Sequence, residues 1–378
     1  MSNRRLWVVS APNNNGLSSS ANLHHYLQES LHLASVHKLT LPQLRVGTLD
    51  SLISVSDTLS RDEPQLESVV DRILRQYREL SNQKTGIPFV EQVTPLEYVV
   101  DFEWDEAKFG IGEDLGGVRE SIMNAVHGLE EDLKIRVADY SGIKQAWQAI
   151  ERKDKGSLMV KHLGAVVREE HVVLGSEHLV TVFVVVGRYE EENFLNCYEG
   201  LCQYVVPRSA KKIEKDQEYV LYGVTVFKKG IEEFKSNCRD KRFTVRDFKY
   251  DPKMKIANQN EAQRLNEELN DQHESFTKWS QTAFAEAFIA MIHLKAVRAF
   301  VESVLRYGLP IDFEISVLVP KARTESKLRN ALNDLYGHLG GSWAKSDEGD
   351  DVGMIPGIVN DKDFYPYVYL EIPIPKAK

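Results

Sequence analysis

Chemistry in this 378-residue chain would have to be built from eleven histidines, three cysteines, its acidic clusters and one glycine-rich run. The run, GIGEDLGG at 110–117, has the glycine content of a phosphate loop. Its spacing is G-x-G-x-x-x-G, however, no apolar strand leads into it, and no Lys-Ser/Thr follows. It reads as a hinge or cap before a helix starting near Val118, where glycines relieve backbone strain. No G-x-x-x-x-G-K-[ST] occurs anywhere, which argues against an ATPase in its own right. His24 and His25 are adjacent, so in an α-helix their side chains point roughly 100 degrees apart, a poor geometry for one metal. His171, His178 and His273 lack partners at metal-ligand spacing. His293 sits among apolar residues and reads as a satisfied core histidine. Cys197, Cys202 and Cys238 are an odd, sparse set without C-x-x-C spacing, which points to a reducing compartment rather than to a disulfide framework or zinc. Acidic runs such as Glu190 to Glu192 read as solvated faces, because adjacent residues do not readily share one site. No catalytic, cofactor-binding or metal-ligating residue is expected.

Charge distribution is more informative. The chain as a whole carries a net charge of -9, a poor basis for coating nucleic acid or anionic lipid. Between Arg208 and Lys249, however, twelve Lys/Arg face seven Asp/Glu, a local excess of +5 that leaves -14 for the remainder. Such polarity suits docking to an acidic partner, with fast, salt-sensitive association. No RNP, KH or helix-turn-helix pattern accompanies the charge, so nucleic acid is not expected.

The elements that carry these residues follow from periodicity. With 42% hydrophobic and 27% charged residues the chain is globular and long enough for one large or several ordinary domains. The N-terminal LWVV is too short for a signal-peptide core and reads as a first strand. Nothing breaks a helix between Pro252 and Gly308, about 55 residues or on the order of 80 Å. Its first half carries a narrow stripe of Ala262, Leu265, Leu269, Phe276, Trp279 and Ala283; its second half, FIAMIHLKAVRAFVESVLRYGLP (288–310), is far more apolar. Glu286, His293, Lys295, Arg298, Glu302 and Arg306 interrupt that stretch short of the roughly 20 apolar residues a membrane span needs. Lys295, Arg298, Glu302 and Arg306 recur at three- and four-residue steps and are read as its exposed edge. Residues 118–153 show a matching stripe (Ile122, Val126, Leu129, Leu133, Val137, Tyr140, Trp147, Ile150), so the two helices are expected to pair antiparallel. The pairing would make residues 156–251 an insertion at the end of a stalk, a small α/β unit built on HLVTVFVVVG (178–187) and EYVLYGVTVFKKG (218–230). The other lobe would combine residues 1–117 with IDFEISVLVP, the helix TESKLRNALNDLYGHLGG and the strand YPYVYLEIPIP. Residues 344–364 read as a solvated loop, and no internal repeat is apparent.

Four widely spaced segments, GTLDSLISVSDTLSRDE (47–63), LGSEHLVTVFVVV (174–186), EYVLYGVTVFKKGIEEFK (218–235) and HLKAVRAFVESVLRYGLP (293–310), together with ERKDKGSL (151–158) and YGHLGG (336–341), resemble the C subunit of the eukaryotic vacuolar-type proton ATPase (V-ATPase). The resemblance implies an α+β (mixed) fold shaped as an elongated dumbbell: a foot over 1–117 and 286–378, neck helices over 118–155 and 252–285, and an α/β head over 156–251. It also implies a non-catalytic, cofactor-free stator component of the peripheral sector. That component bridges peripheral stalks made of the E and G subunits and the cytosolic N-terminal domain of the membrane-sector a subunit, and is needed for assembly and regulated reversible disassembly. Its place would be the cytoplasm, at the cytosolic face of vacuolar and endolysosomal membranes when assembled, peripheral and not inserted. Some members also bind actin filaments or nucleotide. In that frame Lys228, Lys229, Arg239, Lys241 and Arg242 are the candidate partner-binding residues, facing acidic or mixed-charge stalk helices. A cytosolic cytoskeletal or signalling scaffold that binds actin is the alternative; an enzyme with a site at GIGEDLGG would show ligand binding abolished at Gly112.

Overall fold

The computed structural model describes residues 4–13, 18–81, 86–339 and 365–375, side chains excepted at 4, 153–155, 165 and 252–259. The loop expected over 344–364 lies outside the described residues. The chain divides into two compact units, Met1–Arg136 with Ser275–Lys378, and Val137–Glu274. The first unit opens with strand β1 (Arg4–Pro12), helix α1 (Ser19–Leu23) running on into a π-helical segment (His24–Ser30), strand β2 (Ala34–Leu39) and helices α2 (Leu49–Leu80) and α3 (Pro95–Val100). Helix α4 (Leu115–Lys155) passes from it into the second unit, which holds α5 (Leu163–Val166), β3 (Leu179–Gly187), α6 (Glu191–Cys197), β4 (Lys211–Lys215), β5 (Tyr219–Phe227), α7 (Ile231–Asp240) and β6 (Thr244–Arg246). Helix α8 (Pro252–Tyr307) returns the chain to the first unit, completed by β7 (Phe313–Pro320), α9 (Glu325–Tyr336) and β8 (Val368–Ile374).

Each unit is built on one four-stranded sheet, β2-β7-β1-β8 in the first and β4-β5-β3-β6 in the second, and every pairing is antiparallel. Both follow the order strand-helix-strand, strand-helix-strand with the first and third strands at the centre, the ferredoxin-like arrangement. The second unit lies, in chain order, within the connection between the second and third strands of the first. The α/β expectation for residues 156–251 is thereby corrected to α+β. Its strands read as the uniformly apolar runs of a parallel sheet because both faces are covered. Val182, Val184, Val220, Val224 and Val226 pack against Phe194 and Phe234 of α6 and α7, while Phe183, Val185 and Leu221 pack against Leu158, Leu163 and Val167.

A repeat that the sequence hides is plain in the backbone. Strands β3 and β5 start at residues 179 and 219, the 3-10 turns after them at 188 and 228, and helices α6 and α7 at 191 and 231. The offset is 40 residues throughout, and the equivalent residues Phe183 and Gly223 are themselves paired, so a local two-fold passes between them. A Cβ at Gly223 would meet Ile213 Cδ1 at 3.1 Å and Thr181 Cγ2 at 3.3 Å; glycine fits this close approach. Phe194 and Phe234, also equivalent, are both fully buried in the same core. Few other identities survive between the halves, which is why no repeat shows in the sequence.

In the first unit one face of the sheet is closed by α1, its π-helical extension and α9, through Leu23, Leu27, Leu328 and Leu332 on Trp7, Val9 and Leu318. In α8 every residue from Ala287 to Val297 is buried, so the membrane-like run is a core helix enclosed on all sides. The exposed edge expected at Lys295 does not exist. Lys295 is 1% exposed and its ammonium donates to Glu63 of α2, to Glu67 at 2.6 Å and to the Glu371 carbonyl of β8 at 2.6 Å. Arg298 donates to Glu63 and, at 2.7 Å, to Glu302. Burial alone would raise the Glu63 pKa, but the Lys295 and Arg298 charges outweigh it and hold the carboxyl below its ordinary value. Only Arg306 of the expected edge is exposed, and it reaches the Tyr365 carbonyl at 2.8 Å.

His293 is a satisfied core histidine, as its surroundings in the sequence suggest. Its Nδ1 lies 2.8 Å from the Ile289 carbonyl, while Nε2 lies 3.0 Å from the Asp105 backbone N–H, which can only donate. Nε2 is therefore the bare acceptor and Nδ1 the donor, the neutral tautomer. Phe102, Trp104 and Phe109 ring it at 4.8–5.0 Å, and burial pushes its pKa down to about 4.

Both features of this core can be tested. Lys295→Met leaves Glu63 and Glu67 short of a cation and is expected to destabilise the first unit by about 3–5 kcal/mol; Lys295→Met with Glu63→Leu is expected to recover at least half, as measured by urea unfolding. The second test concerns pH. His293 stays neutral when folded and protonates when unfolded, so the unfolded state gains protons as pH falls below 6.5 and stability drops. From pH 7 to pH 5 the loss through this group is about 2 kcal/mol, and His293→Gln is expected to flatten that part of the profile.

Candidate functional site

The five candidate basic residues all lie in the second unit and are all exposed. They do not form one cluster. Lys228 and Lys229 form the 3-10 turn that leads from β5 into α7. Arg239 is in the last turn of α7, and Lys241 and Arg242 lie just past its end. The ten-residue helix between them separates the groups by about 15 Å. Lys228 is partly engaged: its ammonium donates to the Ser176 carbonyl at 3.1 Å. Among the described residues none of the five has a carboxylate within ion-pair distance, in contrast to Lys212, which meets Glu191 at 2.7 Å, and Lys235, which meets Asp247 at 2.8 Å. Arg246 is likewise turned inward, donating to the carbonyls of Leu158 and Lys161. The +5 excess over 208–249 is thus partly consumed within the unit.

Helix α7 ends by local hydrogen bonding. Lys241 N–H donates to the Asn237 carbonyl, Arg242 N–H to Arg239 and Phe243 N–H to Cys238 at 2.8 Å, the last spanning five residues as in a Schellman closure. Arg242 occupies the left-handed position of that closure at φ +62, where glycine is the usual residue and a side chain costs roughly 1 kcal/mol. Phe243 is 3% exposed and belongs to the core against Phe194, so the closure is anchored by the residue after it. Cations at this end also complement the helix dipole.

Near the other end of α7 the sequence reading missed two aromatic residues. Tyr204 and Phe227 stand opposite each other beside the Val205–Val226 bridge, with Phe227 N–H donating to the Tyr204 carbonyl at 2.9 Å. They are 44% and 43% exposed. Only a strand register would have revealed this, because Tyr204 lies outside any segment with strand periodicity.

The remaining chemical candidates take structural places. In GIGEDLGG, Asp114 caps α4: its Oδ1 accepts from Gly117 N–H at 2.9 Å and its carbonyl from Val118 N–H at 3.0 Å. A carboxylate already occupies this helix start, with Glu113 beside Gly117, so it offers an anion little. The helix begins at Leu115 rather than near Val118. His24 and His25 both face Glu29, at 3.4 and 2.9 Å, because they start a π-helical rather than an α-helical segment. The His25 hydrogen bond lowers the Glu29 pKa. Cys202 and Cys238 are buried and Cys197 half-buried; burial raises all three thiols, Cys238 to about 12, which makes them poor nucleophiles. Among the described residues no group of three His, Cys, Asp or Glu side chains is placed to hold a metal ion, and no helix is long and apolar enough to cross a membrane.

Comparison with known proteins covers nearly the whole chain. Residues 6–368 match the family model for the V-ATPase C subunit. The V-type proton ATPase C subunit of Arabidopsis thaliana is 39% identical over 375 residues, 97% of this chain and 98% of that protein. The C 1-B subunit of the V-type proton ATPase of Danio rerio is 37% identical over 374 residues, 97% of each, and the C 1 subunit of Macaca fascicularis is 37% identical over 373 residues, again 97% of each. Similarity of this extent, carried from β1 to β8 through both units, leaves one assignment: the chain belongs to the V-ATPase C subunit family.

Proposed function

We propose that this chain is a non-catalytic stator component of the peripheral sector of a vacuolar proton-transporting ATPase. It bridges the peripheral stalks made of the E and G subunits and the cytosolic domain of the membrane-sector a subunit, supports assembly, and takes part in regulated, reversible disassembly. In this reading residues 156–251 are a head, 118–155 and 252–285 an antiparallel neck, and 1–117 with 286–378 a foot, together an elongated dumbbell working at the cytosolic face of the membrane.

The observation that carries the proposal is that the chain holds two compact units, each with its own sheet, whose boundaries fall within two unbroken helices, α4 and α8. A stator arm needs two docking bodies on a stiff spacer, and a continuous helix is the stiffest spacer a single chain can make. Two contacts support antiparallel pairing: the Arg136 guanidinium lies 5.0 Å over the Trp279 ring, and Tyr140 lies 6.1 Å from His273. As the number rises on α4 it falls on α8. The exposed basic residues of the head, Lys228, Lys229, Arg239, Lys241 and Arg242, supply a surface for acidic or mixed-charge stalk helices.

Affinity capture of the tagged chain from cytosol and from vacuolar or endosomal membranes is expected to bring down the E, G and a subunits; recovery without any of them would sink the reading. Reversing the charge of all five head residues is expected to weaken head-to-stalk binding by tenfold or more and to flatten its salt dependence, as measured by titration at two ionic strengths.

A further inference from the structure

The five basic residues divide into two groups, and the structure distinguishes them. At the start of α7, Lys228 is tied to the Ser176 carbonyl, which leaves Lys229 as the uncommitted cation of the pair; Glu232 and Glu233 of the first turn meet Lys235 at 3.6 Å and the Cys202 thiol at 3.2 Å. At the end of α7, Arg239, Lys241 and Arg242 face only Asp240 within the same four residues. All three cations there are exposed, and among the described residues none has an ion-pair partner. The closure of the helix also places an arginine, at φ +62, where the backbone favours glycine. Arg208, at φ +58, is a second exposed arginine of the same unit held in this way.

Resting on the stator reading, we infer that the cap of α7, Arg239, Lys241 and Arg242, is the docking point for the carboxylates of an acidic partner helix. The left-handed backbone at Arg242 is the means of aiming one of the guanidinium groups. Helix dipole complementarity does not require it, since Arg239 and Lys241 already supply that charge, and glycine would close the helix with less strain. A left-handed residue projects its side chain differently from its helical neighbours, so Arg239 and Arg242 present two planar forks on separate bearings, and each can grip a carboxylate with two parallel hydrogen bonds. The partner's chemistry follows from the composition of the cap. Three cations fall short of the clusters of four to eight that read anionic lipid, and the cap itself contains no aromatic side chain on which a nucleic-acid base would stack. A protein surface with carboxylates spaced along a helix fits both facts.

The test separates aiming from capping. The full-length chain and its variants are titrated with the purified E–G heterodimer at low and moderate salt, and their urea midpoints are measured alongside. Arg242→Gly is expected to leave the urea midpoint unchanged or higher while weakening binding about threefold or more. Arg239→Gln/Lys241→Gln/Arg242→Gly is expected to weaken binding at least tenfold and to reduce its salt dependence, whereas Lys228→Gln/Lys229→Gln weakens it by no more than about threefold; an equal or larger loss from the lysine pair overturns the cap assignment. Wild-type affinity in the triple variant, with the wild-type chain binding normally, overturns the cap assignment and leaves the stator reading standing. A lower urea midpoint for Arg242→Gly overturns it too, since Arg242 would then serve the fold. Failure of the wild-type chain to bind the heterodimer removes both readings. The same titration run with phosphatidylserine vesicles and with a single-stranded RNA is expected to show no binding that depends on the cap; cap-dependent binding to either, with none to the heterodimer, overturns the assignment.

Discussion

The first unit depends on an ammonium group buried in its centre. Lys295 joins α8 to Glu63 and Glu67 of α2 and to the Glu371 carbonyl of β8, three segments separated by up to 308 positions in the chain. Removing these charges from water costs several kcal/mol per ion, and their mutual attraction repays that only when geometry and hydrogen bonding are good. Here all three ammonium protons have an oxygen within reach, and Glu63 is shared with Arg298. A leucine at position 295 would bury as well, but it would accept many neighbours. The lysine accepts an arrangement in which the N-terminal, middle and C-terminal segments have all arrived, which is the problem this discontinuous unit has to solve.

That problem follows from the way one ferredoxin-like sheet is nested in the connection of another. The central pair of the first unit's sheet, β1 and β7, joins Trp7 to Leu318, across the whole of the second unit. Closing such a loop carries an entropic cost that local contacts do not. The second unit has no such difficulty: β3 and β5 are 40 residues apart and its core is made within residues 137–274. The inner unit is therefore the one equipped to form by itself, and the outer one gains from having its two halves returned by long helices.

Much of this was legible in the sequence, because long uninterrupted periodic patterns are its strongest signal. Helix α8 is expected from Pro252 to Gly308 and runs from Pro252 to Tyr307; the strands at 178–187 and 218–230 fall where their apolar runs put them, and the strand at 311–320 where alternation does. Short edge strands escaped. β4 is KKIEK and β6 three residues long, and β2, ASVHKL, mixes polar residues into an edge position; lysine on an edge strand protects it from further pairing and at the same time erases the apolar pattern. The role of Lys295 escaped for a different reason. A charge at helical spacing marks a solvent face only if no opposite charge arrives from elsewhere, and Glu63 lies inside a helix whose own stripe gives no hint that its polar side is covered.

The same distinction governs the candidate surface. Counting charges along the chain finds the basic region but treats Lys212, Lys235 and Arg246 as equal to Arg242, although the first two are neutralised by Glu191 and Asp247 and the third is spent on backbone carbonyls. Whether a cation is available to a partner depends on what the fold has already set beside it. On the second unit exposed cations without an ion-pair partner among the described residues include Arg188, Arg208, Lys211 and Lys249 as well as those at the two ends of α7, and the end that closes this helix places three of them within four residues. The helix that packs Phe234 and Cys238 into the core thereby fixes the bearing of its terminal cations, so that residues far from any cavity acquire a defined orientation from the packing beneath them.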